Sequence, residues 1–112
     1  MDTPAESVEI TRNAALSRFE IRLDGELVGL ADHFDDDGIR AFTHTEVDPT
    51  HRGKGLAGKL VGHALRETRA DGLKVDPVCP HVAGFIRRHP DYGDLLACLA
   101  QWAQELDGLP LC

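Results

Sequence analysis

The sequence predicts an α+β fold (mixed α/β). An antiparallel β-meander runs into one β-α-β crossover, giving a mixed, twisted sheet with helices packed on it. Two observations carry this reading. Through residue 47 the apolar residues recur with period two, broken by Asp-Gly and Asp-Asp-Asp-Gly turns; from Leu56 they recur at helical spacing. A short apolar run at 73–78 then sits between two helical segments, as a buried crossover strand should.

The elements follow in order. Residues 1–6 read as a tail, and 7–112 as one domain, since 112 residues hold one core and not comfortably two. "SVEITRN" (7–13) suits a short edge strand. In "SRFEIRLDGELVGLADHF", Phe19, Ile21 and Leu23 alternate with polar residues, Asp24-Gly25 turns, and Leu27 to Phe34 return as a hairpin. "IRAFTHTEV" (39–47) is the next strand, ended by Pro49, which cannot donate to a ladder. Leu56, Leu60, Val61, Ala64 and Leu65 then line a helix stopped by Gly72. "PHVAGFIRRH" (80–89) is a helix with proline in its first turn and Pro90 behind it. Leu95, Leu99, Trp102 and Leu106 share one face of a last helix near 93–107, a stripe suited to core or dimer contact.

Composition narrows function. The net charge of −7 argues against nucleic-acid binding, which needs a basic face to displace counterions. No apolar run approaches the roughly 18 residues that cross a bilayer, and "MDTPAESVEI" lacks the layout of a signal peptide. A cytoplasmic protein, monomeric or weakly dimeric, is expected. Cys79, Cys98 and Cys112 are odd in number and read as free thiols. Cys79, His81 and His89 are the least unsuitable zinc set, but no pair has metal-site spacing, so no metal is expected.

The chemistry concentrates in "HRGKGLAGKL" (51–60), where three phosphate-binding patterns overlap. All three use unpaired amides at a helix N-terminus to hold a diphosphate, with glycines permitting close approach. Gly53, Gly58 and Lys59 fit the P-loop, but Leu60 stands where a magnesium-ligating hydroxyl belongs. Gly53, Gly55 and Gly58 fit the dinucleotide fingerprint, yet antiparallel strands precede the loop and too little chain follows it. Arg52, Gly55 and Ala57 fit R-x-x-G-x-A, the pyrophosphate loop of coenzyme A-dependent acyltransferases.

The third pattern fits the layout. A meander with "FTHTEV", then "VDPTHRGKGLAGKL", then "PVCPHV…RHPDYGDLL" resembles the GNAT superfamily of acyl-CoA N-acetyltransferases, in its small single-domain form, over residues 8–96. The resemblance implies acetyl-CoA as co-substrate and an amine as acceptor. Arg52 would stand at the loop entrance. The amides of Gly53, Lys54, Gly55, Leu56, Ala57 and Gly58 would hold the pyrophosphate, and the backbone of Glu46 and Val47 would pair with the pantetheine arm. The thioester would lie where strands 39–47 and 73–78 splay.

The family's usual catalytic pair is missing. The glutamate slot holds Ala41 and the tyrosine slot Arg87. Three residues remain as catalytic candidates. Cys79 precedes a helix N-terminus, which favours thiolate; it reads as a thiol acid, a nucleophile, or a small buried residue. His44 and Glu46 share a strand face and read either as the base or as hydrogen-bonded strand residues. Only "NAALS" joins the first two strands, where relatives place helices over the acceptor. An open acceptor side suits a protein lysine, a terminal amine or a polyamine. A non-catalytic acyl-CoA-binding or sensing module is the rival reading.

Overall fold

The computed structural model describes residues 7–51, 53 and 55–96. Five strands, β1 (Val8–Asn13), β2 (Arg18–Leu23), β3 (Glu26–Asp36), β4 (Ile39–Val47) and β5 (Lys74–Asp76), form one sheet in sequence order. The first four pair antiparallel, and β5 joins β4 parallel after the crossover helix α1 (Leu56–Ala70). The second helix, α2 (Pro80–Arg88), packs beside α1. The predicted elements from β1 through α2 and their order are therefore present, with the crossover strand trimmed to three residues.

Local chemistry sets the boundaries. Asp24-Gly25 and Asp37-Gly38 carry positive φ at both central turn residues, matching the right-handed twist of the strands they join. Asn13 Oδ1 accepts from the Leu16 amide, closing a three-residue helical turn (Ala14–Leu16) between β1 and β2. At the end of α1, the Leu73 amide reaches Thr68 O (3.1 Å) and the Gly72 amide reaches Arg69 O (3.0 Å). This pair of bonds satisfies the last carbonyls and turns the chain into β5.

The expected helix at 93–107 is not helical where it would begin. Pro90–Leu95 form a 3-10 segment, and Leu96 is extended, bridging in parallel to Val75 of β5. Leu95 (3% exposed) is drawn into the core, so burial and sheet pairing override the helical period. Residues 97–107 of that reading lie outside the described residues, as do residues 1–6.

Both helices cover one face of the sheet. Phe19, Ile21, Val28, Ala31, Phe42 and Val75 meet Leu60, Val61, Leu65, Val82 and Phe85 in one cluster. Each such side chain removed from water contributes about 1.5–3 kcal/mol. The alternate residues of β2, β3 and β4, among them Arg18, Glu20, Arg22, Asp32, His44 and Glu46, turn to the other face. Among the described residues no helix covers that face. Glu20 is nonetheless 4% exposed, held by Arg18 (2.8 Å) and Arg22 (3.0 Å). The Arg18 hydrogen bond keeps its carboxyl below the usual range despite burial.

A polar cluster sits within the helix-covered face. Arg40, 1% exposed, grips Asp35 through Nε (2.8 Å) and Nη2 (2.9 Å). It also reaches Thr68 (3.3 Å) and Asp71 (3.3 Å) at the end of α1. His33 lies against the Phe19 and Phe42 rings and accepts from Arg12 Nε at 3.4 Å. Its Nδ1 is buried without a hydrogen bond, 3.3 Å from Asp35 but poorly aimed.

Burial, reinforced by the Arg40 charge, lowers the His33 pKa below 6.5. The unfolded chain therefore takes up this proton more readily than the folded one. The stabilisation is present above pH 6.5 and is lost as pH falls through the folded value. The urea midpoint is expected to fall between pH 7.5 and pH 5. In His33→Phe, which keeps the aromatic packing, the fall should be smaller; equal falls would remove His33 as the cause.

Candidate active site

The site begins where β4 loses its partner. β4 and β5 pair only through Ile39–Lys74, Arg40–Val75 and Ala41–Asp76. The Cys79 amide then donates to Phe42 O at 2.8 Å, and beyond that point the two chains diverge. β4 continues to Val47 paired only with β3, its other edge free of β5.

Ladder geometry fixes which amides face the gap. The Asp48 amide donates to Val28 O at 2.7 Å, on the β3 side. Register is regular from Gly29–Val47 to Ala31–Thr45. Alternation along an antiparallel ladder then turns the amides and carbonyls of Val47 and Thr45 away from β3, toward the gap. An extended ligand with amide groups can add there like a strand.

The chain leaves β4 through a short 3-10 turn (Pro49–His51). Asp48 Oδ1 accepts from the Thr50 amide and hydroxyl, both at 2.9 Å. These bonds, the amide's first, hold its carboxyl below the usual range. Gly55 then occupies the N-cap of α1 in left-handed geometry (φ 72°), with no side-chain cap and no acidic residue in the first turn. Among the described residues, Lys59 N is the first to bond back, to Gly55 O (3.2 Å). The amides of Leu56, Ala57 and Gly58 therefore leave the helix end without an internal acceptor, and the helix dipole favours an anion there.

These parts frame an open-sided cavity of about 550 Å³ lined by Thr45, Glu46, Val47, His51, Gly53, Gly55, Leu56, Ala57 and His81. That volume accommodates a ligand of cofactor size. Of the predicted donor-binding residues, Glu46, Val47, Gly53, Gly55, Leu56 and Ala57 line it, and Gly58 lies in the first turn of α1; the Glu46 backbone, expected to pair with the pantetheine arm, instead faces Leu30 of β3. Arg52 and Lys54 are outside the described residues.

The catalytic candidates separate into two places. His44 Nε2 lies 3.1 Å from Glu46 Oε1, and both side chains are more than half exposed on the open face; of the two, Glu46 lines the cavity. Cys79 is the N-cap of α2, 3% exposed, with Sγ directed to Thr45 Oγ1 at 3.5 Å. It stands behind the cavity wall, and Thr45 stands between.

The residues standing in the family's usual catalytic slots are elsewhere. Ala41 pairs with Phe34 and Asp76 at the closed part of the sheet. Arg87 lies in the last turn of α2. Tyr92 packs on Phe85, with its hydroxyl accepting from Arg66 at 3.3 Å.

Thr45, His51 and His81 are wall residues that motif reading passes over. His51 precedes the glycine loop, and its Nδ1 is buried without a partner. A β-bulge explains Thr45. Register shifts between Asp32 and His33, so His33 pairs with Phe42 and Asp32 with His44, leaving Thr43 extra. The extra residue turns Thr45, rather than His44, to the helix side.

A mixed sheet that opens between its last two strands beside an uncapped, glycine-led helix start is the architecture of the GNAT N-acetyltransferases. A model of the GCN5-related N-acetyl-transferase family matches residues 18–95, and the chain belongs to that family. Its fold is similar to the solution structure of a GCN5-like putative N-acetyltransferase from Staphylococcus aureus. The two share a TM-score of 0.63 and 21% identity, over 83% of this chain and 91% of the other. An aminoglycoside N-acetyltransferase solved in complex with CoA aligns with TM-score 0.45 and 22% identity, over 68% of this chain and 57% of its own. No curated protein sequence matches the chain.

Proposed function

We propose that the protein is an N-acetyltransferase that moves the acetyl group of acetyl-CoA to an amine presented on the open face of the sheet. One observation carries this reading. The uncapped start of α1 opens into a cavity whose wall takes in Thr45, Glu46 and Val47 of β4, and Glu46 is hydrogen-bonded to His44. The diphosphate sits against the amides of Gly53, Gly55, Leu56, Ala57 and Gly58, and the pantetheine amides pair with Val47 and Thr45. The thioester then reaches the cavity end formed by Thr45, Glu46 and His81.

Acetyl transfer needs the attacking amine uncharged and its proton removed as the C–N bond forms. His44, oriented by Glu46 at 3.1 Å, takes that proton from the acceptor side. Imidazole is suited to this because it exchanges protons near neutral pH. His81, in the cavity wall on the first turn of α2, gives a proton of its own to the departing sulfur in this reading. The open face, with only four residues (14–17) joining β1 and β2, fits a lysine side chain, a terminal amine or a polyamine.

The His44–Glu46 pair favours an enzyme over a non-catalytic acyl-CoA sensor, which needs the loop but no base. The test is release of free CoA from acetyl-CoA across a panel of peptide lysines, peptide N-termini and polyamines. Turnover is expected with at least one of these acceptors. His44→Ala should lower kcat by about 10²-fold or more while leaving acetyl-CoA affinity within a factor of two. Tight acetyl-CoA binding with no turnover on any acceptor would favour the sensor.

A further inference from the structure

The Cys79–Thr45 contact has no part in the base chemistry above, yet it touches the cavity where the thioester would end. Thr45 is 5% exposed and still contributes to the cavity wall. Cys79, 3% exposed, is joined to it by the 3.5 Å Sγ–Oγ1 contact and packs otherwise among apolar core residues.

A threonine hydroxyl has one proton and two lone pairs. If that proton went to Cys79, it would be spent on sulfur, a weak acceptor, and the thiol proton would be left in the apolar core. If instead the thiol donates to Oγ1, the hydroxyl proton is free to turn into the cavity. There water or a ligand oxygen accepts it strongly. The second arrangement satisfies both protons.

We infer that Thr45 is a catalytic oxyanion donor, its hydroxyl proton directed at the thioester carbonyl oxygen, and that Cys79 is a positioning residue setting its direction. This deepens the proposed acetyl transfer and rests on it. The amine lone pair forms the C–N bond as the carbonyl π pair moves onto oxygen. Thr45 hydrogen-bonds that oxygen as its charge grows. The pair then returns, the C–S bond breaks, sulfur leaves with its electron pair, and the amine proton passes to the base. Thr45 transfers no proton, so it is restored without a further step. Fixed donors of this kind lower the barrier because they are oriented before charge develops.

The assignment separates from the nucleophile reading of Cys79. On the present geometry an acyl group on Sγ would have to displace Thr45 from the wall.

The experiment uses the full chain with acetyl-CoA and whichever amine the acceptor panel identifies. Thr45→Val should lower kcat by about 10²-fold, the usual cost of removing one oxyanion donor, with acetyl-CoA affinity within a factor of two. Thr45→Ser should recover most of the loss. Cys79→Ala should lower kcat less than Thr45→Val does, and Cys79→Ser, which keeps a donor to Oγ1, should recover it. The double variant Thr45→Val/Cys79→Ala should be no slower than Thr45→Val, because Cys79 acts only through Thr45. Thermal melts of each variant separate lost folding from lost chemistry.

The inference is overturned by folded Thr45→Val with kcat within twofold of the parent, by Cys79→Ala adding to Thr45→Val, or by acetylated Cys79 in the mass spectrum. Absence of any turnover by the parent chain overturns it together with the reaction on which it rests. Turnover unchanged in Thr45→Val overturns it alone.

Discussion

Replacing Ala57 with glutamate should weaken acetyl-CoA binding by at least about 100-fold, equivalent to about 2.7 kcal/mol, while leaving the fold intact. Ala57 is the second residue of α1 and lines the cavity. A carboxylate there faces the diphosphate across a few ångströms. At an effective dielectric near 20, like unit charges about 4 Å apart cost about 4 kcal/mol. For the helix itself the substitution is favourable by about 0.3–1 kcal/mol, because a negative side chain near the N-terminus complements the dipole. The two effects have opposite signs, which makes the experiment informative. Calorimetry should show lost binding while thermal denaturation shows an unchanged or raised midpoint. Binding within tenfold of the parent would place the diphosphate elsewhere.

The largest loss of stability is expected from Asp35→Ala. Arg40, with its side chain 2% exposed, keeps its charge inside the domain mainly through two bonds to this carboxylate. Asp71 and Thr68 supply only single contacts at 3.3 Å. The Arg40 bonds, first among the causes, hold the Asp35 carboxyl below the ordinary range. Removing one partner of a buried pair leaves an uncompensated charge, at about 3–5 kcal/mol. Because Asp35 is one-third exposed, about 3 kcal/mol is expected, or roughly 15 °C in midpoint for a domain of this size.

Arg40→Met should cost less, although it deletes the more buried residue. It replaces a buried charge with an apolar stem and leaves Asp35 in reach of Arg12 at 3.3 Å and of solvent. Chemical denaturation of the two variants gives the order. Arg40→Met costing more than Asp35→Ala would mean the guanidinium acts mainly by packing between Phe19 and α1.

Most of the fold was legible from the chain. Phe19, Ile21 and Leu23 alternate because one face of β2 meets the helices. The Asp-Gly pairs turn the hairpins, and the change of period at Leu56 marks the crossover. The glycine-led, uncapped start of α1 was legible for a similar reason, since its glycines and lack of a capping side chain are local properties. The end of the chemistry furthest from the loop was harder to read. Alternation counted from His44 cannot reveal that Thr43 is an extra residue, because the bulge depends on pairing with Asp32 and His33 across the sheet. Thr45 thus reads as an ordinary strand residue until the register is known. Cys79 was found by its place before α2, but the direction of its thiol toward Thr45 depends on a contact 34 residues away in sequence. The first residues of the helix expected near 93–107 depart from it for a related reason. Leu95 and Leu96 find better burial and pairing against β5 than a helix would offer them.

The central claim is that an acyl-CoA donor lies between the start of α1 and the free edge of β4. An amide-resolved magnetic resonance titration of the isotope-labelled chain with acetyl-CoA tests it most directly. Saturable shifts are predicted at Thr45, Val47, Gly53, Gly55, Leu56 and Ala57, with the β1–β2 edge of the sheet unmoved. Saturable shifts confined to another face of the domain, or no shifts at millimolar acetyl-CoA, would contradict it.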